Sequence, residues 1–298
     1  MTVCGPKAGV DAPTVAVGNT GGVVDAIGDA RGAFERGSWG DAFQRWSALD
    51  TGTALEPDDL DRFASAAYLT GRDEQAFELW TRAHQSCADA DDPERAARFG
   101  LRLASALGFK GDIARSAGWV ERTRRLLDSA GVECIELGYL AHAAAMCRIF
   151  ESGDLAGAHA LFVESGEIGD AYGDHGLVTM ARIGEGRMLV YLGELAEGVA
   201  LLDEAMVSVE ARELPPIAIG DAYCTVIDAC HELFDLARCR AWTDSFSKWC
   251  DVQQDLVLYR GHCLMHRAEL MAIGGQWAAA VDEAVSYTHL TLPTTPYV

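Results

Sequence analysis

One short phrase recurs along this chain and dictates most of what it can become. It reads GSWGDAFQRW from Gly37, GRDEQAFELW from Gly71, GDIARSAGWV from Gly111, GDLAGAHALF from Gly153, GELAEGVALL from Gly193, FDLARCRAWT from Phe234 and GQWAAAVDEA from Gly275. Successive starts lie 34, 40, 42, 40, 41 and 41 residues apart. In six of the copies a glycine is placed to end one helix in the left-handed conformation that side chains resist, and two residues later a second helix begins. In most copies the third position is apolar, with a small residue three further on and a large one after that, as in Leu155, Ala158 and Leu161 or Leu195, Gly198 and Leu201. This is helical spacing with a narrow side, which lets two helices approach closely.

A second helical stretch lies upstream of each turn from the second copy onward: Leu60 to Leu69, Glu94 to Leu107, Glu136 to Phe150, Leu177 to Leu192, Ile217 to Leu233 and Leu258 to Ile273. Each repeat is therefore a helical hairpin of about 40 residues, a period that points to stacked hairpins. The expected fold is all-α, a tetratricopeptide-like right-handed solenoid of about seven helical hairpins over residues 26–285. The connectors ALEPDDL, ADADDPER and ARELPPIA agree, because proline is tolerated in a first helical turn and carboxylates favour the positive helix end. Adjacent carboxylates such as Asp58 with Asp59 and Asp91 with Asp92 read as helix caps rather than an acid/base couple.

The two ends depart from this pattern. Residues 1–25 are rich in Gly, Val, Thr and Ala without helical periodicity and are expected to be poorly ordered. Their GNTGG lacks the Lys-Ser/Thr that a phosphate loop needs. Residues 286–298, SYTHLTLPTTPYV, carry β-branched residues and proline and are expected to break the helix begun at Gln276. That tail resembles translated adapter or vector sequence, so the chain is expected to stop short of its native end.

Charge narrows the function classes. Twenty-four Lys plus Arg against forty-five Asp plus Glu give a formal charge of −21, which repels phosphate backbones and anionic lipid. No run reaches the roughly eighteen apolar residues of a membrane span, and no basic start with an apolar core marks an export signal, so a cytoplasmic location is expected. Nine cysteines at 4, 87, 134, 147, 224, 230, 239, 250 and 263 show no CxxC pairing and read as reduced, mostly buried thiols. Cys224, Cys230, His231 and Cys239 are the tightest metal-capable group, but they are spread over two helices.

The search for chemistry is negative. GxSxG, HExxH, GxxxxGK[ST] and strand-borne GxGxxG are all absent, so neither an enzyme nor a cofactor is expected. His262 and His266 share a helix face and could chelate a metal, yet no third ligand stands near, and core or surface histidines are the plainer reading. Trp39, Trp80, Trp119, Trp242, Trp249 and Trp277 fall in second helices or at their entry, as core filler. A binding surface would lie on the concave side lined by first helices, which carry Arg62, Arg95, Arg98, Arg102, Arg148, Arg182 and Arg187. The row Arg95, Arg98 and Arg102 is the candidate clamp for a ligand carboxylate, against the alternative of a solvated helix face.

The phrases LEPDDLDRFASAAYLTGRDEQAFELWTRAH, DDPERAARFGLRLA, YLGELAEGVALLDEAMVSV and SKWCDVQQDLVLYRGHCLMHRAEL resemble the helical-repeat region of actinobacterial LuxR-family transcriptional regulators, over about residues 29–285. The resemblance implies a sensing region that takes a protein, peptide or small effector in its concave groove, with DNA bound only through a C-terminal helix-turn-helix domain that this chain lacks. The alternative is a freestanding scaffold or adaptor that grips peptide segments.

Overall fold

The computed structural model describes residues 20–253 and 255–291. It contains fourteen helices among the described residues: α1 (Thr20–Glu35), α2 (Trp39–Asp50), α3 (Pro57–Leu69), α4 (Asp73–Asp89), α5 (Pro93–Phe109), α6 (Ile113–Ala130), α7 (Glu136–Ser152), α8 (Leu155–Tyr172), α9 (His175–Leu192), α10 (Leu195–Glu210), α11 (Pro216–Glu232), α12 (Leu236–Asp251), α13 (Leu258–Ile273) and α14 (Trp277–Thr291). Each odd helix pairs with the even one after it, which makes seven hairpins and no strand among the described residues.

The turn chemistry is the one the repeated phrase implies. The turn glycines adopt left-handed backbone, from φ 64° at Gly153 to φ 96° at Gly193. Phe234 holds the same geometry at φ 55° without being glycine. Its ring is 81% exposed, so the backbone strain, about 1 kcal/mol, is not offset by burial. The aspartate beside several of these turns caps the second helix: Asp112 accepts from the Arg115 amide, Asp154 from Gly157 and Asp235 from Arg238. Asp92 and Asp174 do the same for the first helices α5 and α9.

The narrow positions are where helices touch. A side-chain carbon on Gly198 of α10 would lie 2.5 Å from the Gly186 carbonyl oxygen of α9, so the two backbones are in direct contact there. Ala158 of α8 is completely buried. First helices of successive hairpins from α5 onward pack on one another, whereas second helices make no comparable contact, so the odd helices form the inner wall and the even ones the outer.

The stack also closes on itself. A solenoid whose repeats touched only their neighbours would keep its ends apart. Here the loop between α12 and α13 docks on the first two hairpins: the Val257 amide donates to the Leu69 carbonyl at 2.9 Å, and Trp39 Nε1 donates to Gln253 Oε1 at 3.2 Å. Trp39 and Leu69 are buried in the same cluster as Phe246, Trp249, Leu256 and Tyr259. This contact between distant hairpins was not foreseen from the repeat.

Both ends correct the sequence expectation where they are described. Helix α1 begins at Thr20, not at 26, because Ile27, Ala30, Ala33 and Phe34 pack into the core and a nucleated helix extends outward at little cost. Helix α14 runs through Ser286 to Thr291, since β-branched residues lower helix propensity by only about 0.7 kcal/mol or less each. The expectations for residues 1–19 and 292–298 fall outside the described residues. Trp277 also departs from its assigned role: it is 68% exposed, because no further hairpin packs on α14 among the described residues. Trp39, Trp80 and Trp249 are buried, while Trp119 and Trp242 are half-buried at the core margin.

Candidate functional site

On the inner wall, the arginines that a ligand carboxylate would need already hold carboxylates of the chain. Arg95 pairs with Asp58 at 3.0 Å, Arg98 with Glu136 at 2.8 Å and Arg102 with Asp61 at 3.3 Å, so the row on α5 ties α3 and α7 to either side of it. The other four arginines that the sequence placed on the inner wall are paired as well, Arg62 with Asp59, Arg148 with Asp154, Arg182 with Glu204 and Arg187 with Glu232. Asp59 is not a cap: it is 1% exposed and accepts two hydrogen bonds from Arg31, at 2.7 and 2.8 Å.

These pairs have consequences for stability. Glu136 is 1% exposed, and its second oxygen has no hydrogen-bond partner among the described residues. Arg98→Ala would leave a buried carboxylate without its arginine, at an expected cost of about 2–3 kcal/mol after allowing for the half-exposed guanidinium. Urea denaturation checks this, and a loss under about 0.5 kcal/mol would assign the pair to the surface class.

Among aromatic side chains of the first helices, Tyr68, Phe99, Tyr223 and Tyr259 are buried, whereas Tyr191 is exposed, its hydroxyl donating to Glu232. Of the paired histidines on α13, His262 is half-buried and His266 is in the core. His266 is 1% exposed with neither ring nitrogen hydrogen-bonded among the described residues, and burial, with His262 and His231 nearby, pushes it down to about 4. Its nearest carboxylates are Glu269 at 3.8 Å and Asp228 at 4.0 Å. No group of three or more His, Cys, Asp or Glu among the described residues could hold a metal, which includes the group Cys224, Cys230, His231 and Cys239. The eight described cysteines are free thiols, and all but Cys147 are buried.

An open groove lies beside the outer helix α12. The groove, of about 590 Å³, runs between α12 and the α13–α14 turn with α13 as its floor. Arg240, Thr243, Asp244, Ser247 and Lys248 of α12 form one wall, and Arg267, Leu270, Met271, Gly274 and Gln276 form the rest. Three cations and one carboxylate thus line a groove in a chain of charge −21. The sequence reading missed it because Arg240 and Lys248 lie on a second helix and Arg267 on the first helix of the next hairpin. The eight-residue step from Arg240 to Lys248 was the available signal. No described helix is long and apolar enough to cross a membrane.

Comparison with solved structures bears on the fold. A Rap protein complexed with competence and sporulation factor is 12% identical and superposes with a TM-score of 0.63, covering 90% of this chain and 74% of that one. The apo form of RapI is 8% identical with a TM-score of 0.60, covering 90% of this chain and 98% of that one. No family model matches the chain, and no curated protein does. At such identities the likeness speaks for architecture alone: this is an all-α, tetratricopeptide-like helical-repeat protein.

Proposed function

We propose that the chain is a protein- or peptide-interaction module without catalytic activity of its own, acting as the sensing region of a LuxR-type transcriptional regulator whose DNA-binding domain is encoded further along. The observation that carries the interaction reading is the solenoid itself, similar over nine-tenths of the chain to a Rap protein solved with a competence and sporulation factor. The charge of −21 supports a division of labour in which DNA affinity resides in a separate basic module. The regulator context rests on the sequence resemblance quoted above.

Two measurements test this. Tagged full-length chain is incubated with protein, peptide and metabolite fractions of its host, and any retained species is purified and titrated back by calorimetry. One stoichiometric partner is expected, and none in any fraction would overturn the interaction reading. Sequencing the locus beyond codon 285 is expected to show an in-frame helix-turn-helix, and its absence would favour the freestanding adaptor.

A further inference from the structure

Lysine is rare in this chain, which has only Lys7, Lys110 and Lys248. Lys110 is paired with Asp73, and Lys7 lies outside the described residues. Lys248 therefore stands out: it is exposed, lines the outer groove, and has no described carboxylate at ion-pair distance. Arg240, two helical turns earlier on the same wall, is in the same position. Arginines elsewhere on the molecule mostly hold carboxylates of the chain itself, and Arg267 in the groove floor pairs with Glu283. The groove is a local reversal of sign with two cations uncommitted.

We infer that this groove docks an extended acidic segment of a partner protein, with two carboxylates four residues apart on the same face of the segment, one on Arg240 and one on Lys248. The inference rests on the interaction reading and adds the chemistry of the partner. Eight residues of helix separate the two cations by about 12 Å, which four residues of extended chain match at roughly 3.3 Å each, with both acids on one face. Asp244 lies midway between them and repels a continuous acidic run, so the middle of the segment is uncharged and offers a backbone N–H to that carboxylate. Leu270 and Met271 form an apolar floor for one side chain between the two acids. A single small anion would satisfy one cation and leave the rest of the groove unfilled.

The probe is a fluorescein-labelled peptide, Gly-Asp-Ser-Leu-Ser-Asp-Gly, titrated into the full chain by fluorescence polarisation. Saturable binding is expected, weakened tenfold or more in the double variant Arg240→Glu with Lys248→Glu, and absent for the same peptide with lysine in place of both aspartates. A control with the same change of net charge, Arg125→Glu with Arg212→Glu, is expected to bind as the parent does. Circular-dichroism melting confirms that both variants fold. No binding of the acidic peptide, equal binding by the groove variant, or equal loss in both variants would overturn the inference. Complete displacement by an equimolar amount of inorganic phosphate would also overturn it, in favour of a free-anion site. Repeating the host-fraction capture with the groove variant separates the two readings. A partner held equally by parent and variant sinks the groove and leaves the interaction module standing. Peptide binding with no host partner does the reverse.

Discussion

Phe246→Ala is expected to lower folding stability by about 3–5 kcal/mol, the range for an aromatic ring removed from a packed core. Phe246 is completely buried in α12, stacked on Tyr223 of α11 at 5.1 Å and on Trp249 at 6.0 Å, with Tyr259 of α13 edge-on at 6.5 Å. Its neighbours hold three successive helices together, so the cavity cannot be filled by moving one side chain. The opposite face of the same helix carries Arg240, Asp244 and Lys248, and a loosened α12 would also lose its grip on any groove ligand. Urea denaturation with the slope monitored gives the number, and a loss below about 1 kcal/mol would mean that the sixth and seventh hairpins do not share a core.

The second large effect is tied to pH. Asp221 of α11 is buried and accepts a 2.6 Å hydrogen bond from the Tyr259 hydroxyl. Burial pushes its carboxyl up to about 7, with the Tyr259 bond opposing in part. In the unfolded chain the same group titrates near 3.9. The folded state therefore holds the proton more tightly, and stability is full below about pH 4, falls as pH rises toward 7 and levels off above it. At about 1.4 kcal/mol per unit, the ionised carboxylate costs on the order of 4 kcal/mol by pH 8. Asp221→Asn keeps an acceptor for Tyr259 and removes the charge. It is expected to exceed the parent in stability by a few kcal/mol at pH 8 and by much less at pH 5. A difference between parent and variant that does not change with pH would show that Asp221 is not ionised against burial. The charge of Asp221 also acts on the buried Tyr68 of α3, so this carboxyl lies close to the contact that closes the stack.

The hairpins were legible because their signals are local. A glycine that must turn left-handed, an aspartate one residue on and an apolar residue after it act within one turn of chain, and the helices fall within a few residues of the predicted spans. The helix at either end ran longer than expected, since propensity is a weak prior once packing has started a helix. The arginine row was legible as a row but not in its partners, which lie 38 residues away at Glu136 and 37 away at Asp58 and 41 away at Asp61. Of the seven arginines that read as a ligand surface in one dimension, Arg95, Arg98, Arg102, Arg182 and Arg187 are cross-braces between helices in three, while Arg62 and Arg148 pair locally with Asp59 and Asp154.

By itself the sequence determined the all-helical class, the number of hairpins and the alternation of inner and outer helices, because each follows from contacts within about 40 residues. Only the tertiary structure decided that the α12–α13 loop would close onto α3, that Asp59 and Glu136 would be buried under arginines, and that Arg240, Lys248 and Arg267 would face one groove. Those outcomes depend on the small rotation between successive hairpins, summed over the whole stack, and no single repeat encodes that sum.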